Sequence, residues 1–385
     1  MLIAAVLLVF TSVCNAATTV TCPIQGATKC VCVPGIIDCV GHSLTATPNF
    51  RSSTMRFYHV RLGHNDITST VKNAFASLNS SDIDLSFNQI SILDIQTFGG
   101  VEPFLKILNL THNQLTVLPA AIASLSVLQT LDISWNPIAV TSHSAPDFSG
   151  DIMRHIGDTI INLRFGSTEM RAWPDSLTHL NQLQELTVAG VHLVYWPPGA
   201  FHGFERTLLK LTIEDLSTEA VPIGIAFLTQ LQELSLNNLQ YPFSDDSLIS
   251  LPFSQLSGTL MKLTLKNDSL TYFPDGIKDL TSLQSLTLDG NDLEFVSDEA
   301  ILLLKSANVT DLSLQSCNLK RVPGAISDLI NLQLLDLSTN IIRSIESTDL
   351  QNLANLRTLR LSYNPLKYIS DNSLCGLERL EVTAH

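Results

Sequence analysis

The chain has 385 residues and is acidic, with 36 Asp and Glu residues against 22 Lys and Arg and a net charge of −14. No run of basic residues occurs, and phosphate binding requires clustered cations, so the composition argues against a nucleic-acid partner. No apolar stretch approaches the roughly 20 residues that a membrane helix needs. We therefore expect neither nucleic-acid binding nor membrane insertion.

The first residues predict a secretory signal peptide. The apolar run LIAAVLLVF (2–10) is too short to span a bilayer and is followed by the small residues Cys14 and Ala16. We place the signal peptide at residues 1–16 and expect a secreted, extracellular protein. A bacterial lipoprotein anchor on Cys14 is the alternative, which Val13 disfavours as the residue before the cut.

Six cysteines remain after this segment, and four of them, Cys22, Cys30, Cys32 and Cys39, lie close together. An exported chain without a nearby pattern of His ligands favours disulfides over a zinc site. Four cysteines allow three connectivities, and their spacing alone does not select one. We expect residues 17–54 to form a compact cap cross-linked by disulfides.

A phrase of eleven residues then recurs along the chain, as in LKILNLTHNQL (105–115) and LRTLRLSYNPL (356–366). Its first, fourth and sixth positions are apolar, and its ninth is often Asn. The ninth position falls at Asn65, Asn88, Asn113, Asn136, Thr168, Val191, Leu216, Leu239, Asp268, Asn291, Cys317, Asn340 and Asn364. Every second interval in this series is 23 residues, which indicates a paired unit. Self-similarity of this kind predicts a repeat architecture.

Each phrase predicts a short strand whose fourth and sixth residues point into a core shared with the next repeat. Stacked repeats bury these positions continuously, which contributes roughly 1.5–3 kcal/mol for each Leu or Ile side chain. The Asn follows the strand, where its amide can satisfy backbone groups of the turning chain. Stacked Asn side chains are therefore expected to form a ladder.

This pattern resembles the leucine-rich repeat family over residues 55–385. The resemblance implies an α/β solenoid of about 13 repeats plus a truncated one. Such a solenoid is a curved horseshoe with a parallel sheet on its concave face and irregular or short helical segments on its convex face. The phrases LPAAIASL (118–125) and VPGAISDL (322–329) fit the convex segments. Residues that resemble the Phe packed inside those segments are Phe75, Phe98 and Phe201.

The middle of the chain departs from the family pattern, because Thr168, Val191, Leu216 and Leu239 interrupt the series of Asn residues. Two interpretations are open. Either the register of the strands loosens there, or an apolar side chain takes the place of the Asn. We favour the second.

The resemblance also implies how the cap is bonded, with Cys22 paired to Cys32 and Cys30 paired to Cys39. More faintly, paired long and short repeats after a compact cap resemble secreted arthropod leucine-rich proteins similar to the non-catalytic subunit of the shrimp luciferase. That resemblance would imply a scaffolding or stabilising partner of an enzyme, with the chemistry residing elsewhere.

The sequence predicts no catalytic, cofactor or metal site. It contains no phosphate-binding glycine loop, no HExxH and no GxSxG motif. Cys317 occupies a ninth position, where a small buried thiol is the favoured interpretation. Cys375 lies in SLCGLERL (373–380), where no partner is evident, so a free or intermolecular thiol is expected.

The open concave face is the predicted site for a protein partner. The column before the ninth position reads His64, Phe87, His112 and Trp135, an aromatic stripe suited to anchoring a partner. Packing on the neighbouring turn is the commoner role of such residues. Charged candidates for partner selection, in the fifth-position column, are Asp84, Asp132 and Arg360. The longest insertions, 142–158 and 244–258, offer further surface for recognition.

Four sequons are open to glycosylation if the source is eukaryotic, at Asn79, Asn109, Asn267 and Asn308. Asn109 and Asn267 would fall on or beside the concave sheet. Glycans at those two positions would cover part of the predicted binding face.

We predict a secreted module that binds a protein ligand on its concave face, of the matrix, adhesion or immune-recognition type. The alternative is a non-catalytic subunit of a secreted enzyme complex. In that case the C-terminal repeat, which has no visible cysteine cap, and Cys375 would form the contact with another subunit.

Overall fold

The computed structural model describes residues 20–26, 29–53, 55–142, 148–216, 222–239 and 253–381. The predicted signal peptide lies outside the described residues. Among those that are described, no helix has both the length and the apolar character needed to cross a bilayer.

A single 15-stranded sheet runs through the described cap and repeats. Its strands, in both spatial and sequence order, are β1 (Val31–Val33), β2 (Gly35–Asp38), β3 (Phe57–Arg61), β4 (Asp82–Asp84), β5 (Ile107–Asn109), β6 (Thr130–Asp132), β7 (Asn162–Phe165), β8 (Glu185–Ala189), β9 (Lys210–Glu214), β10 (Glu233–Asn237), β11 (Lys262–Lys266), β12 (Ser285–Thr287), β13 (Asp311–Ser313), β14 (Leu334–Asp336) and β16 (Thr358–Arg360). The first pair, β1 and β2, is antiparallel, and the later pairs are parallel. A small second sheet pairs β15 (Ser344–Ile345) with β17 (Tyr368–Ile369). This architecture confirms the predicted leucine-rich repeat solenoid.

Short helices return the chain from one strand to the next on the other side of the core. The described α-helices are α1 (Gly150–Ile156), α2 (Phe253–Leu256) and α3 (Asp298–Leu302). The described 3-10 helices are Ala120–Ser124, Asp175–His179, Ile223–Phe227, Asp275–Asp279, Leu303–Ser306 and Gly324–Asp328. Five of these six follow a proline in extended conformation. Proline fixes φ near the helical value and lacks the N–H that a first turn leaves unpaired, so it marks where each return segment begins.

The core lies between the sheet and the return segments. Leu108 and Leu110, at the fourth and sixth positions of one phrase, are fully buried. On the convex side, the rings of Phe75 and Phe98 stack with centroids 6.1 Å apart. Phe201 is also buried, so all three phenylalanines lie where the resemblance implied.

The ladder forms wherever Asn occupies the ninth position. Asn88 is representative, since its Oδ1 accepts a hydrogen bond from the Ile67 N–H at 3.0 Å. Its Nδ2 donates to the carbonyls of Leu62 in the preceding repeat, at 2.9 Å, and of Leu85 and Ser86 in its own repeat. A single buried side chain thus satisfies four backbone groups that the turn would otherwise leave unpaired.

In the middle repeats the register does not loosen. Strands β7 to β11 pair continuously, and the side chains of Val191, Leu216 and Leu239 are buried in place of the Asn. Thr168 is exposed instead. The favoured interpretation is therefore confirmed for the three apolar residues and does not hold at the exposed Thr168.

Two disulfides cross-link the cap, Cys22 to Cys32 and Cys30 to Cys39. This is the pairing that the resemblance implied. Strand β2 pairs with β3, and Ile37 and Cys39 are fully buried against the first repeat. The cap therefore covers core residues and the edge of β3, which would otherwise be exposed at the N-terminal end of the sheet.

The insertion at 142–158 does not project as a recognition loop where it is described. Its helix α1 packs between the neighbouring 3-10 helices and buries Ile152, Met153 and Ile156. Apolar residues spaced three and four apart form one face of this helix, which explains its place in the convex layer. Residues 143–147, and 244–252 of the second insertion, lie outside the described residues.

Candidate protein-binding surface

The outward residues of the parallel strands form columns across the concave face. In the fifth-position column, Thr187, Thr212 and Ser235 occupy adjacent strands in direct register. Thr212 is half-buried, and the next residue in the column, Thr264, is buried. Cross-strand packing accounts for these hydroxyl-bearing side chains, as expected for β-branched residues on a pleated surface.

Four aromatic side chains form a continuous stack beside this face, which we call the aromatic stack: His64, Phe87, His112 and Trp135. The ring centroids of His64 and Phe87 are 4.3 Å apart, with the planes inclined by 9°. Those of Phe87 and His112 are 4.1 Å apart at 17°, and those of His112 and Trp135 are 5.8 Å apart at 32°. The rings cover one another's faces, so what the stack presents to solvent is largely ring edges. Phe87 remains 41% exposed.

A shared backbone conformation positions the aromatic stack. All four residues have positive φ, between 50° and 57°. Each N–H donates to a carbonyl of the next repeat, as in His64 to Ser86 at 3.0 Å and Phe87 to Thr111 at 3.0 Å. The left-handed conformation costs a residue other than glycine about 1–2 kcal/mol. Aromatic residues are therefore present here despite a backbone that favours glycine.

The stack ends against a glycine at its C-terminal side. A Cβ at Gly190 would lie 2.8 Å from the Trp135 ring, and the intervening column position is the small, buried Ser167. Gly190 also has φ of 63°. The two small residues leave the space that the indole occupies.

Burial between its neighbours lowers the pKa of His112. Asp132 acts in the opposite direction, while Arg164 and His64 lower the pKa further. The Nδ1 of His112 lies 3.1 Å from the Thr111 hydroxyl, which itself lies 2.9 Å from the Ser134 carbonyl. The shift favours a neutral imidazole, which suits a position between two aromatic rings.

Two of the three charged candidates are ion-paired within the chain. Asp132 lies 3.8 Å from the Arg164 Nε, and the same guanidinium forms a salt bridge with Glu214. Arg360 contacts Asp336 at 3.2 Å. These pairs need to be broken or shared before either residue can serve a partner, so a role in partner selection is not evident for them.

Asp84, the third charged candidate, has no cationic partner among the described residues. Its Oδ1 accepts a hydrogen bond from the Ser86 N–H at 2.9 Å. Its Oδ2 would lie 3.2 Å from a Cβ placed on Gly63, next to His64 in the chain. A free carboxylate oxygen therefore lies close to the aromatic stack.

The eighth-position column, which holds the aromatic stack in the N-terminal repeats, changes character in the middle repeats. There two amides and one carboxylate form a hydrogen-bonded row, which we call the amide row. The Nδ2 of Asn267 donates to the Asn238 Oδ1 at 2.9 Å, and the Nδ2 of Asn238 donates to the Asp215 Oδ1 at 3.1 Å. All three residues again have positive φ. Sequence reasoning missed this row, although the repeat of Asp and Asn one residue before the ninth position was the signal, because these residues tolerate the left-handed conformation.

The four sequons differ in accessibility. Asn79 and Asn308 are exposed, and no side-chain hydrogen bond occupies either amide within the described part of the chain. Asn109 is half-buried, with its Oδ1 accepting from the Thr111 N–H. Asn267 is exposed, but its Nδ2 belongs to the amide row.

The two cysteines outside the cap have different environments. Cys317 is fully buried, and burial raises the pKa of its thiol to about 12. Its Sγ lies 3.2 Å from the Leu288 carbonyl, where the Nδ2 of a ladder Asn lies in other repeats. Cys375 is exposed and forms no disulfide with another described cysteine. No three His, Cys, Asp or Glu side chains of the described chain are grouped to hold a metal ion.

The profile of the family described as Leucine rich repeat matches residues 81–138, 307–366 and 331–382. The chain carries leucine-rich repeats. Over 200 residues it is 33% identical to the volume-regulated anion channel subunit LRRC8B of Homo sapiens, covering 51% of this chain and 24% of that protein. It is 27% identical over 296 residues to chaoptin of Tribolium castaneum, covering 73% of this chain and 32% of that protein. The matched region thus spans about a quarter to a third of the length of these relatives.

Solved leucine-rich repeat structures share the fold. A leucine-rich repeat protein of Leptospira interrogans superposes with a TM-score of 0.60 at 25% identity, covering 85% of this chain and 78% of the other. An internalin of Listeria monocytogenes superposes with a TM-score of 0.52 at 22% identity, covering 78% of this chain and 85% of the other. The repeats and their parallel sheet are common to all three proteins.

Proposed function

We propose that this chain is an extracellular, non-catalytic module whose concave face binds a protein partner, of the matrix, adhesion or immune-recognition type. The observation that carries the proposal is the open face of the 15-stranded sheet. Parallel sheets are usually covered on both faces, whereas here the described return segments lie on one face only. An open surface on a rigid solenoid suits the recognition of a large, folded partner.

The aromatic stack supports this proposal. Aromatic side chains are enriched at the energetically dominant positions of protein interfaces. Stacking fixes the four rings in place, so a partner that contacts their edges loses little further side-chain entropy on binding. Asp84 adds a carboxylate that has no cationic partner among the described residues, which favours a protein partner with a basic group at that point.

Two features support an extracellular location. The disulfides of the cap suit an oxidising compartment. The apolar run at residues 2–10 is typical of a signal peptide. Detection of the mature N-terminus near residue 17 in secreted material would test this part of the proposal, and a retained N-terminus in an intracellular pool would contradict it.

A matched pair of variants tests the binding face. Thr212→Arg adds a large cation at the centre of the concave sheet, and Thr229→Arg makes the same change at an exposed position of a convex return segment. Both proteins and the wild type are immobilised, and extracellular fluid of the source is passed over them. A partner retained by the wild type and by Thr229→Arg but lost on Thr212→Arg supports the proposal. A partner retained equally by both variants, or lost on both, contradicts it.

The C-terminal end of the sheet favours a second candidate function, that of a non-catalytic subunit in a secreted enzyme complex. Strand β16 has one pairing partner, β14, within the described sheet. The core residues Leu359 and Leu361 are only partly buried, and Cys375 is exposed. A subunit seated there would cover apolar surface and the side of β16 with which no described strand pairs. Light scattering on the secreted protein distinguishes the two functions, because a stoichiometric enzyme partner in the native particle supports the second and a monomer supports the first.

A further inference from the structure

We propose that the outer face of His64 is a stacking site for an arginine guanidinium of the protein partner, in the column position that Gly41 leaves empty. The inference deepens the proposed function, on which it rests, by naming one group of the partner. It concerns the N-terminal end of the aromatic stack.

Gly41 occupies the column of the aromatic stack one repeat before His64. Asp38 on β2 is in register with Arg61 on β3. Three residues further along each segment, Gly41 therefore lies opposite His64. The Gly41 N–H donates to the Gly63 carbonyl at 3.2 Å, just as the His64 N–H donates to the next repeat. Gly41 has φ of 70°, close to the values of the four aromatic residues. The backbone of the cap thus repeats the stacking position without a ring.

The space above Gly41 is open. Apart from its two chain neighbours, no described residue would come within 4 Å of a Cβ on Gly41. One face of the His64 imidazole is covered by Phe87, whose ring centroid lies 4.3 Å away. The register of β2 and β3 puts Gly41 in the column position on the opposite side of His64 from Phe87. His64 is exposed. A planar group from another molecule can therefore extend the stack by one member.

Charge favours a guanidinium over a neutral ring. Asp84, whose Oδ2 would lie 3.2 Å from a Cβ on Gly63, and Asp66, two residues after His64 in the chain, form no ion pair within the described residues. Arg61, three residues before His64, lies 3.8 Å from Asp38, and the whole chain carries a net charge of −14. Arginine combines a planar face that stacks on rings with a charge attracted by carboxylates, and lysine lacks the planar face.

NMR of the full chain with 13C-labelled histidine tests the site. The probes are N-acetyl-arginine amide, N-acetyl-lysine amide and N-acetyl-tyrosine amide at equal ionic strength. We expect saturable shifts of the His64 ring resonances with the arginine probe alone. Gly41→Phe fills the empty position and abolishes that response. Gly26→Phe is the matched control, because Gly26 is also an open glycine of the cap with positive φ but lies outside the column, and it leaves the response unchanged.

A second reporter keeps the test valid if Gly41→Phe does not fold. In His64→Ala the Gly41 amide resonance reports on the probe, and we expect binding roughly two- to fivefold weaker, as for loss of an exposed cation–ring contact. An equal response to lysine, an equal or larger response to tyrosine, a response retained in Gly41→Phe, or undiminished binding in His64→Ala overturns the inference. If the arginine probe fails while Thr212→Arg still abolishes capture of a partner, the stacking site is wrong and the proposed function stands.

Discussion

The N-terminal repeats and the middle repeats end their strands differently. Where the ninth position is Asn, as in β4, β5 and β6, the strand stops at the fifth position of the phrase. Where it is Val, Leu or Asp, as in β8 to β11, the strand continues to the seventh. The Asn amide bonds the carbonyls of the sixth and seventh positions, as Asn88 bonds Leu85 and Ser86. The Asn ladder therefore competes with strand pairing. Where the Asn is absent, as in β8 to β11, the strands extend to the seventh position and keep their register.

The largest effect expected from this comparison follows removal of a ladder Asn in the N-terminal repeats. Asn113→Leu deprives the Ile90 N–H and the Leu85 and Leu110 carbonyls of their partner. Buried backbone groups left unpaired are expensive, so we expect a loss of about 4 kcal/mol in the free energy of unfolding. Urea denaturation measures this loss. Thr168→Val is the control, at the same phrase position but exposed, and should change stability by less than about 0.5 kcal/mol.

Asp268 provides a second test of the comparison between the N-terminal and middle repeats, because it places a carboxyl group at the ninth position, where the ladder has Asn. Its side chain is fully buried, and its Oδ1 accepts from the Leu239 N–H at 3.0 Å. Its Oδ2 has no hydrogen-bond partner among the described residues. In the next repeat, the corresponding nitrogen of Asn291 donates to the Leu265 and Leu288 carbonyls. A protonated carboxyl can donate in the same way, whereas a carboxylate cannot.

Stability should therefore fall as the pH rises through this group's titration range. Burial raises the pKa of Asp268 to about 8 from an ordinary value of 3.8, and the bond from Leu239 opposes the shift. A raised pKa in the folded state means that the stabilisation is complete below pH 3.8 and is lost as the pH rises towards 8. Asp268→Asn keeps the donor at every pH, so it should gain about 3 kcal/mol over the wild type at pH 8.

Urea denaturation between pH 4 and pH 9, with wild type and Asp268→Asn in parallel, measures this dependence. The difference between the two proteins should vanish towards pH 4 and grow with pH. A constant difference would show that Asp268 stays ionised in the folded protein. Asp292→Asn provides a control, since Asp292 is exposed and acts only as an acceptor for the Asn318 amide.

The period of the sequence was sufficient to predict the fold, and the reason is physical. Each strand has the same neighbours in the preceding and following repeats, so the buried fourth and sixth positions and the Asn88 type of ladder follow from one phrase. The stripe from His64 to Trp135 was predictable as a column for the same reason. Its left-handed backbone and the ring overlap at 4.1–4.3 Å were not, because they depend on φ at single residues.

The pairing of charges was also beyond sequence reasoning. Arg164 bonds Glu214 across two strands, over the small Ala189. Such a contact depends on the length of the arginine and on which intervening side chains are small. The empty position at Gly41 was missed because it lies in the cap, outside the repeating phrase.

A substitution at Gly190 tests whether the aromatic stack is tightly packed. A Cβ there would lie 2.8 Å from the Trp135 ring and would also be strained at φ of 63°. We expect Gly190→Ala to lower the free energy of unfolding by about 2 kcal/mol, of which about 1 kcal/mol is backbone strain. In a Trp135→Ala background only the strain should remain. A double-mutant cycle measures the coupling, and a coupling of zero would mean that the indole moves aside freely.

The smallest effects are expected when one residue of the aromatic stack, or one residue of the amide row, is replaced by glycine. Phe87→Gly removes two ring contacts, worth about 0.5–1.5 kcal/mol each, but relieves a left-handed conformation that costs about 1–2 kcal/mol. With the entropy that glycine adds to the unfolded chain, we expect a net loss of about 1 kcal/mol in the free energy of unfolding. Asn238→Gly removes two exposed side-chain hydrogen bonds and should change the free energy of unfolding by less than about 0.5 kcal/mol.

Urea denaturation of Phe87→Gly and Asn238→Gly measures the free energy of unfolding of each variant. The difference between the two losses shows how much more a ring of the aromatic stack stabilises the fold than a side chain of the amide row does. If Phe87→Gly lowers the free energy of unfolding by about 3 kcal/mol or more, which is on the order of a core truncation, the main role of the aromatic stack is to stabilise the fold. If the loss stays near 1 kcal/mol while partner capture falls tenfold or more, about 1.4 kcal/mol or greater, the rings matter more to binding than to folding. The second result is the one we expect, because the cost of the left-handed conformation offsets most of the stabilisation from the ring contacts, so the fold gains little from the ring.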